Sequence, residues 1–172
     1  QGGETGFLRK NQDIMDKILV VQPEKCTGCR TCELTCSYTH TGEINPTRSR
    51  ISVFNFERIG FSTPVVCQQC TSAACMAVCP VGAISRDDNG AMQVNHERCL
   101  RCKMCAIACP VGATLYDYVE DKIIKCDLCG GDPACVKLCP SGAISYQDAN
   151  AANFAKRKQY AARFKDVYEE VG

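Results

Sequence analysis

The sequence lacks several features on which common protein functions depend. It has no tryptophan and only two histidines, His40 and His96, which we interpret as solvated or hydrogen-bonded side chains rather than ligands. The uncharged apolar runs are too short to cross a membrane, so no direct membrane insertion is expected. No apolar signal-peptide core precedes residue 26, and the glycines fit turns rather than a dinucleotide-binding fingerprint. These absences argue against a membrane-spanning protein, a secreted protein and a nucleotide-dependent dehydrogenase.

Cysteine, by contrast, is abundant: the chain has 16 cysteines, which form four quartets, and none lies outside them. The third quartet has two residues between each of its first three cysteines and three before the last, followed by proline, as in bacterial ferredoxins. Soft thiolates suit iron–sulfur clusters, so the spacing predicts four [4Fe-4S] clusters. The quartets are Cys26, Cys29, Cys32 and Cys36; Cys67, Cys70, Cys75 and Cys79; Cys99, Cys102, Cys105 and Cys109; and Cys126, Cys129, Cys135 and Cys139.

The spacing has a geometric reason. Three closely spaced cysteines in a tight turn can direct their thiolates at three corner irons of one cubane cluster. The fourth cysteine, which we expect at the start of a short helix, faces away and ligates the other cluster of a pair. The proline that follows it in three quartets costs little because it starts a new segment. These prolines are Pro80, Pro110 and Pro140.

Two other interpretations of the cysteines are weaker. A disulfide framework is typical of short secreted chains, whereas 172 residues can build a core without such bridges. Structural zinc takes four ligands as two Cys-x2-Cys pairs and leaves the closely spaced third cysteine of each quartet unexplained. Iron–sulfur ligation is the interpretation that uses all the cysteines.

Hydrophobic content and net charge must both be recalculated to account for the clusters. The hydrophobic content of 45% includes cysteine, and without cysteine it falls to roughly 36%, which is thin for a self-sufficient core. We therefore expect the clusters to hold the fold together. A cluster with four thiolates carries about −2, so four of them take the formal charge of +1 to about −7. We expect an acidic protein with no nucleic-acid partner, in a reducing cytoplasm.

A repeat surrounds the last cysteine of three quartets, as VCPVGAIS at 78–85, ACPVGATL at 108–115 and LCPSGAIS at 138–145. After each proline comes a glycine suited to a turn, and then a small strand such as residues 83–85. A second strand at residues 92–95 follows the turn 87–90, which predicts a hairpin with Gly90 in the left-handed conformation.

The first quartet departs from this repeat, since Ser37 follows Cys36 and a longer connection with two predicted strands around Gly60 replaces the glycine turn. We expect the strand at residues 18–21 to meet the strand containing Ile144 and bring the outer quartets together. The predicted fold class is α+β, with two ferredoxin-like dicluster modules, one inserted in the other. The predicted segments are an N-terminal arm (1–16), an outer module (17–56 and 119–148), an inner module (57–118) and a C-terminal helix (149–172).

From about residue 17 to 148 the pattern resembles the four-cluster electron-transfer subunits of anaerobic molybdenum, tungsten, hydrogenase and carbon monoxide enzymes. In that superfamily the first quartet pairs with the fourth and the second with the third. The ligand sets that the resemblance implies are Cys26, Cys29, Cys32 and Cys139; Cys126, Cys129, Cys135 and Cys36; Cys67, Cys70, Cys75 and Cys109; and Cys99, Cys102, Cys105 and Cys79.

Within the superfamily, the segment PEKCTGCRTCELTCSYTHTGEINPTRSRI at 23–51 is most similar to the small iron–sulfur subunit of bacterial tungsten aldehyde oxidoreductases. The resemblance implies a catalytic tungsten- or molybdenum-pterin partner and a further redox partner such as a flavin subunit. The alternatives are a subunit of a hydrogenase, formate or carbon monoxide dehydrogenase, and a free polyferredoxin. We expect no catalytic site in the chain itself, because four clusters with four ligands each use every thiolate.

The two ends lie outside the cluster modules. Residues 151–171 predict a helix with Phe154, Ala161, Phe164, Tyr168 and Val171 on one stripe, suited equally to docking a partner and to packing on the chain itself. The polar residues 1–16 are either a disordered tail or an arm that orders on a partner. Ends that grip neighbours head to tail would allow self-assembly, with a one-to-one complex as the alternative.

Cations near the third quartet suggest how cluster potentials differ. Arg101 and Lys103 lie beside its cysteines, whereas the second quartet has an uncharged insert. A nearby cation favours the reduced, more negative cluster, so the third cluster is expected to be easier to reduce than the second. The alternative is that both cations face solvent and are screened.

Overall fold

A computed structural model describes residues 17–171, apart from the side chains of 159 and 163–171. The arm predicted for residues 1–16 therefore lies outside the described residues. Within the described range the strands pair into four two-stranded antiparallel sheets. The strands are β1 (Lys17–Val21), β2 (Ile51–Phe56), β3 (Phe61–Val66), β4 (Ile84–Arg86), β5 (Met92–Val94), β6 (Leu115–Asp117), β7 (Lys122–Ile124) and β8 (Ile144–Asp148). The α-helices are α1 (Thr31–Thr41), α2 (Ala74–Ala77), α3 (Met104–Ile107), α4 (Ala134–Lys137) and α5 (Ala149–Val171).

Strands from opposite ends of the described chain form one sheet. β1 pairs antiparallel with β8, from Lys17 opposite Asp148 to Val21 opposite Ile144. Leu19 and Ile144 are buried, which gives this pair the apolar face that a two-stranded sheet needs for stability. The predicted meeting of the outer strands is confirmed, and it brings the first and last cysteine quartets into the same region.

The remaining three sheets are local hairpins. The predicted hairpins are present: β2 and β3 connect through Gly60 at φ 61°, and β4 and β5 connect through Gly90 at φ 76°. The third hairpin joins β6 to β7. The proposed module boundaries, after residues 56 and 118, fall in the turns of β2–β3 and β6–β7, so each of these hairpins would contribute one strand to each module.

The core is built around cysteine. The cluster of buried core residues includes seven cysteines beside aliphatic side chains such as Ile51, Val66, Met92 and Ile123. The architecture is α+β, with short strand pairs and short helices, as the sequence predicted. Since the helices α2, α3 and α4 have only four residues each, packing around the cysteines rather than helix propensity must hold them. The cysteines that lie in this core are Cys32, Cys36, Cys67, Cys75, Cys105, Cys126 and Cys135.

The C-terminal helix α5 starts directly at the end of β8. The carboxylate of Asp148 accepts hydrogen bonds from the backbone N–H groups of Asn150 and Ala151, both at 2.9 Å, and so caps the first turn. Ala152 is buried where α5 contacts β1 and β8, whereas Phe154 of the predicted stripe is 71% exposed. The stripe residues Phe164, Tyr168 and Val171 lie outside the described side chains. No helix within residues 17–171 has the length and apolar character needed to span a bilayer.

A buried ion pair ties two distant segments together. Arg48 is 5% exposed and its Nε donates to Oδ2 of Asp117, which is 2% exposed, at 2.9 Å. Asp117 also accepts the backbone N–H groups of Val119 and Glu120. Burial by itself would raise the pKa of Asp117, but the hydrogen bonds from Arg48 and the two amides hold that pKa below its ordinary value.

We expect Arg48→Met to destabilise the protein strongly, because it leaves the carboxylate of Asp117 buried without its partner. The midpoint of heat-induced loss of circular dichroism should fall by more than about 6 °C at a fixed scan rate. Glu43→Gln is the matched control, since Glu43 also pairs with Arg48 but its side chain is 66% exposed, and the midpoint should move little. Equal effects of the two changes would contradict a structural role for the buried pair.

Candidate metal centres

Each of the four Cys-x2-Cys loops bends through one residue in the left-handed conformation. That residue always directly precedes the second cysteine: Gly28 at φ 69°, Gln69 at 49°, Arg101 at 57° and Leu128 at 56°. Such values are uncommon for residues other than glycine and carry strain, so a shared function is the reason for keeping them. The bend turns the two cysteines of each loop toward one centre. Only one of the four is glycine, and the sequence therefore did not reveal this shared geometry.

The first loop requires glycine for a second reason. A Cβ on Gly28 would lie 2.7 Å from Oγ of Ser62 and 2.8 Å from Oδ1 of Asn55. Both of these residues belong to the β2–β3 hairpin, which therefore packs against the loop that carries Cys26 and Cys29. The long connection after the first quartet thus covers the first loop.

Short helices carry the third cysteine of three of the quartets. Cys75, Cys105 and Cys135 lie in α2, α3 and α4 and are buried. The expectation that the fourth cysteine stands at the start of a short helix is wrong for these quartets. Each fourth cysteine instead follows the end of the helix, because the next residue is proline, which cannot continue a helix.

The repeated Cys-Pro-x-Gly-Ala turn directs a backbone N–H at the fourth sulfur. The N–H of Ala83 donates to Sγ of Cys79 at 3.2 Å, and the N–H of Ala113 donates to Sγ of Cys109 at 3.3 Å. Burial would raise the pKa of both cysteines, but amides of the turn hold it below the ordinary value. The glycine of each turn has a positive φ, which lets the chain fold back over the sulfur.

Cys36 lacks this turn and obtains its N–H from another element. It lies in α1, and the backbone N–H of Arg50 donates to its Sγ at 3.3 Å. The departure of the first quartet from the repeat is thus compensated by the segment that leads into β2.

The sixteen cysteines converge on four cavities, four at a time, and each cavity takes three cysteines from one quartet and one from another. The structure brings the cysteines together in the groupings that the family resemblance implied, and that each grouping ligates one cluster stays a prediction. We name them site I (Cys26, Cys29, Cys32 and Cys139), site II (Cys36, Cys126, Cys129 and Cys135), site III (Cys67, Cys70, Cys75 and Cys109) and site IV (Cys79, Cys99, Cys102 and Cys105).

Neighbouring sites adjoin one another in this order. Helix α1 carries Cys32 of site I and Cys36 of site II, one turn apart, and it contacts α4, which carries Cys135 of site II. Site II adjoins site III, since the side chain of Gln69, in the site III loop, donates to the carbonyl of Cys126 at 2.7 Å. Sites III and IV adjoin through the contact of α2 with α3.

Without a bound metal, the buried thiols favour their neutral form. Burial, together with the charges of neighbouring cysteine thiolates, raises the pKa of Cys32 and of Cys135 to about 12. Burial also raises the pKa of Cys126, with contributions from Cys135, Cys36 and Cys67. Four soft ligands that repel one another as thiolates fit a group that brings several positive irons. The donor set of each site therefore fits a [4Fe-4S] cluster.

Site II is the most enclosed of the four. At the other three sites the second cysteine of the Cys-x2-Cys loop is exposed; these are Cys29, Cys70 and Cys102. At site II the corresponding Cys129 is half-buried. His40 covers it, with Nε2 3.7 Å from Sγ of Cys129 and 3.5 Å from Oδ1 of Asp127.

The carboxylate of Asp127, beside site II, also pairs with Arg50. Burial, followed by the charge of Arg50, lowers the pKa of His40. The sequence indicated that His40 was hydrogen-bonded or solvated, and it did not reveal its contact with a cysteine 89 positions away. His96, the other histidine, is exposed in the segment between β5 and Cys99.

The cations noted near the third quartet are at the surface. Arg101 pairs with Asp121, and both side chains are more than half exposed. Lys103 stacks on Tyr116, with Nζ 3.8 Å from the ring centroid, and also faces Tyr118. The cation that the sequence did not single out is Lys125, which is 4% exposed and lines site III. Its position directly before Cys126 carried no signal of burial.

Known families and proteins match different parts of the chain. A family described as a 4Fe-4S dicluster domain matches residues 59–149, and one described as a 4Fe-4S binding domain matches residues 23–39. The first match spans sites III and IV and reaches the loops of the fourth quartet. The second covers the first quartet.

Relatives are named as components of oxidoreductases or hydrogenases, or as an electron transport protein. The polyferredoxin-like subunit of an aliphatic sulfonate oxidoreductase from Pyrococcus furiosus is 41% identical over 97 residues, 55% of this chain and 56% of the relative. The electron transport protein HydN of Escherichia coli is 38% identical over 53% of this chain and 54% of its own. Hydrogenase-4 component A of Escherichia coli is 40% identical over 54% of this chain and 43% of its own. The chain spans about half the length of the curated relatives it matches.

A pair of substitutions on α1 tests the crossed ligand sets. Cys36→Ala should remove the spectroscopic signal of site II and spare that of site I, whereas Cys32→Ala should do the reverse, because the two sulfurs line different cavities. Electron paramagnetic resonance of the anaerobically reduced variants measures this. If each quartet instead closed on its own cluster, both variants would lose the same signal, and the crossed sets would be wrong.

Proposed function

This chain belongs to the 4Fe-4S dicluster domain family, and from that premise we propose that it is an electron-transfer subunit with one [4Fe-4S] cluster in each of sites I to IV. The observation that carries the proposal is the convergence of all sixteen cysteines, four at a time, on four adjoining cavities. Each bound cluster supplies a place for a single electron. The ligand sets are those of the four sites as defined above.

The protein's part is to hold the sites close together and to adjust the charge around them. Backbone N–H groups that donate to Cys36, Cys79 and Cys109 stabilise negative charge on sulfur. Apolar side chains such as Ile84 and Val94 at site IV exclude water from the sulfurs. Because successive sites share helices and loops, a single electron has a neighbouring site to move to at each step.

We propose no bond chemistry in this chain. Four ligands at each of four sites use all sixteen thiols, which leaves no cluster with an open iron for a substrate. The relatives named above are electron-transport or polyferredoxin-like components, which supports the same view. Catalysis would then reside in a partner subunit, and this chain would carry electrons to or from it.

For that partner we propose the catalytic subunit of a tungsten- or molybdenum-pterin aldehyde oxidoreductase. The support is the resemblance of residues 23–51 to the small iron–sulfur subunit of those enzymes, and the relative that serves an aliphatic sulfonate oxidoreductase. A flavin or other redox subunit would exchange electrons with the other end of the row of sites. The complex would operate in an anaerobic cytoplasm, where the thiols stay reduced.

A hydrogenase partner is the second candidate. The observation that favours it is the 40% identity to a hydrogenase component over about half of this chain. Formate and carbon monoxide dehydrogenases belong to the same alternative, and a free polyferredoxin is a third. Head-to-tail self-assembly through the two ends stays a proposal, as does a one-to-one complex.

Iron and sulfide analysis tests the cluster proposal. Protein purified without oxygen should contain about sixteen irons and about sixteen acid-labile sulfides per chain, since each of four cubane clusters contributes four of each. The reduced protein should show magnetic interaction between neighbouring clusters. Stoichiometric zinc with little sulfide would overturn the proposal.

Metal analysis of the complex from the native host tests the partner. An affinity-tagged chain should copurify with a larger subunit that contains tungsten or molybdenum, and the complex should oxidise aldehydes with a viologen dye as acceptor. Nickel in the copurified subunit would support a hydrogenase or carbon monoxide dehydrogenase instead. Recovery of the chain alone, with its iron intact, would contradict a dedicated partner and favour a free polyferredoxin.

A further inference from the structure

Lys125 is a buried cation that forms no ion pair with a carboxylate of the described residues. The residue is 4% exposed and lies between the end of β7 and Cys126. Its ammonium donates to Oγ1 of Thr114 at 2.7 Å, and Thr114 is itself 3% exposed. None of the ion pairs among the described side chains includes Lys125. Lysine is almost never fully buried unless paired, so its counter-charge must come from something else.

Cysteines of site III line the same cavity as Lys125. Lys125 lines site III together with Cys67 and Cys109. Against the effect of burial, backbone amides of the turn, the charge of Lys125 and the hydroxyl of Thr114, which accepts from Lys125, all lower the pKa of Cys109, a ligand candidate of site III. Burial raises the pKa of Cys67 and of Cys105, and the charge of Lys125 is the strongest influence that opposes burial at both. Cys105 belongs to site IV, so the ammonium acts on two sites at once.

The cations at the other two sites are neutralised locally. At site I, Arg30 lies beside Glu33, whose buried carboxylate is 3.9 Å away. At site II, Arg50 pairs with Asp127. Each of these cations therefore has a carboxylate next to the same cavity, and the two charges largely cancel in their effect on the site. Lys125 has no such partner among the described side chains, and its charge acts on sites III and IV in full.

We propose that Lys125 is a built-in counter-charge shared by sites III and IV, which holds the reduction potentials of their clusters above those of sites I and II. Reduction adds one negative charge to a cluster, and a buried cation favours the more negative state. Because the ammonium is out of water, salt screens it far less than a surface charge. Electrons that enter the chain would therefore rest on sites III and IV.

This inference rests on the proposed function, since it needs clusters in sites III and IV. It also attributes the unequal reduction potentials to a buried lysine instead of to Arg101 and Lys103. The surface cations Arg101 and Lys103 are engaged with Asp121 and with tyrosine rings, in water, whereas Lys125 is buried between two sites. We therefore expect the reduction potentials of sites III and IV to differ from those of sites I and II, rather than from each other.

The experiment compares three variants in an anaerobic redox titration followed by electron paramagnetic resonance. Lys125→Met removes the charge and keeps the length of the side chain. At a fixed potential it should lower the ratio of reduced to oxidised cluster by about tenfold for two of the four clusters. For a one-electron couple this corresponds to a fall of about 59 mV in the reduction potential. Lys125→Arg keeps the charge and should hold the potentials near those of the native protein. Lys103→Met removes an exposed cation beside site IV and should change the same ratio less than about twofold.

Assignment of the shifted signals uses two exposed ligands. Cys102→Ser perturbs the signal of site IV and Cys70→Ser that of site III, so the two unperturbed signals belong to sites I and II. Potentials that stay unchanged in Lys125→Met, or that shift only at sites I and II, would overturn the inference.

If Lys125→Met fails to retain iron, the native protein still decides the question. The gap between the higher and lower pairs of potentials should persist when salt is raised to about 1 M, because the charge that produces it is buried. A gap that closes with salt would assign it to surface charges and overturn the inference. Iron analysis separates the two proposals: native protein without iron and sulfide refutes the cluster proposal, whereas full iron with unmoved potentials refutes only the role of Lys125.

Discussion

Every site in this protein needs four cysteine sulfurs at one place, and no single quartet provides all four to its own cavity. Three come from one quartet and the fourth comes from another, as with Cys139 in site I or Cys36 in site II. Each site therefore joins distant parts of the chain. Cysteine-free apolar content of roughly 36% would make a thin core alone, and seven of the buried core residues are themselves ligand candidates. The fold and the sites depend on each other.

The backbone around the sites is shaped to suit negative sulfur. Four left-handed residues turn the Cys-x2-Cys loops inward, and glycine turns after Cys79 and Cys109 direct amide N–H groups at those sulfurs. These are local devices, repeated wherever the motif repeats. Cys36, which has no such turn, receives an N–H from Arg50 instead, so the first quartet reaches the same chemistry through tertiary contact. A shared electrostatic requirement thus explains both the repeat and its exception.

Charge placement is the feature in which the sites differ. Carboxylates accompany the cations at sites I and II, the buried Lys125 lines site III, and surface cations at site IV are held by Asp121 and by tyrosine rings. A row of equivalent clusters would conduct without preference, whereas unequal charges would give the electron preferred positions. The buried pair of Arg48 and Asp117 contributes differently, because it stabilises the junction between the segment before β2 and the end of β6.

The sequence by itself determined the number and kind of the candidate ligands, the α+β class and the hairpins around Gly60 and Gly90. Motif spacing and turn chemistry act over a few residues, where the chain alone dictates geometry. Only the tertiary structure decided that His40 covers Cys129 and that Lys125, rather than Arg101, is buried beside site III. Burial and long-range pairing depend on how distant segments pack, and a lysine beside a cysteine looks the same in a sequence whether it faces water or the cysteines of a buried site.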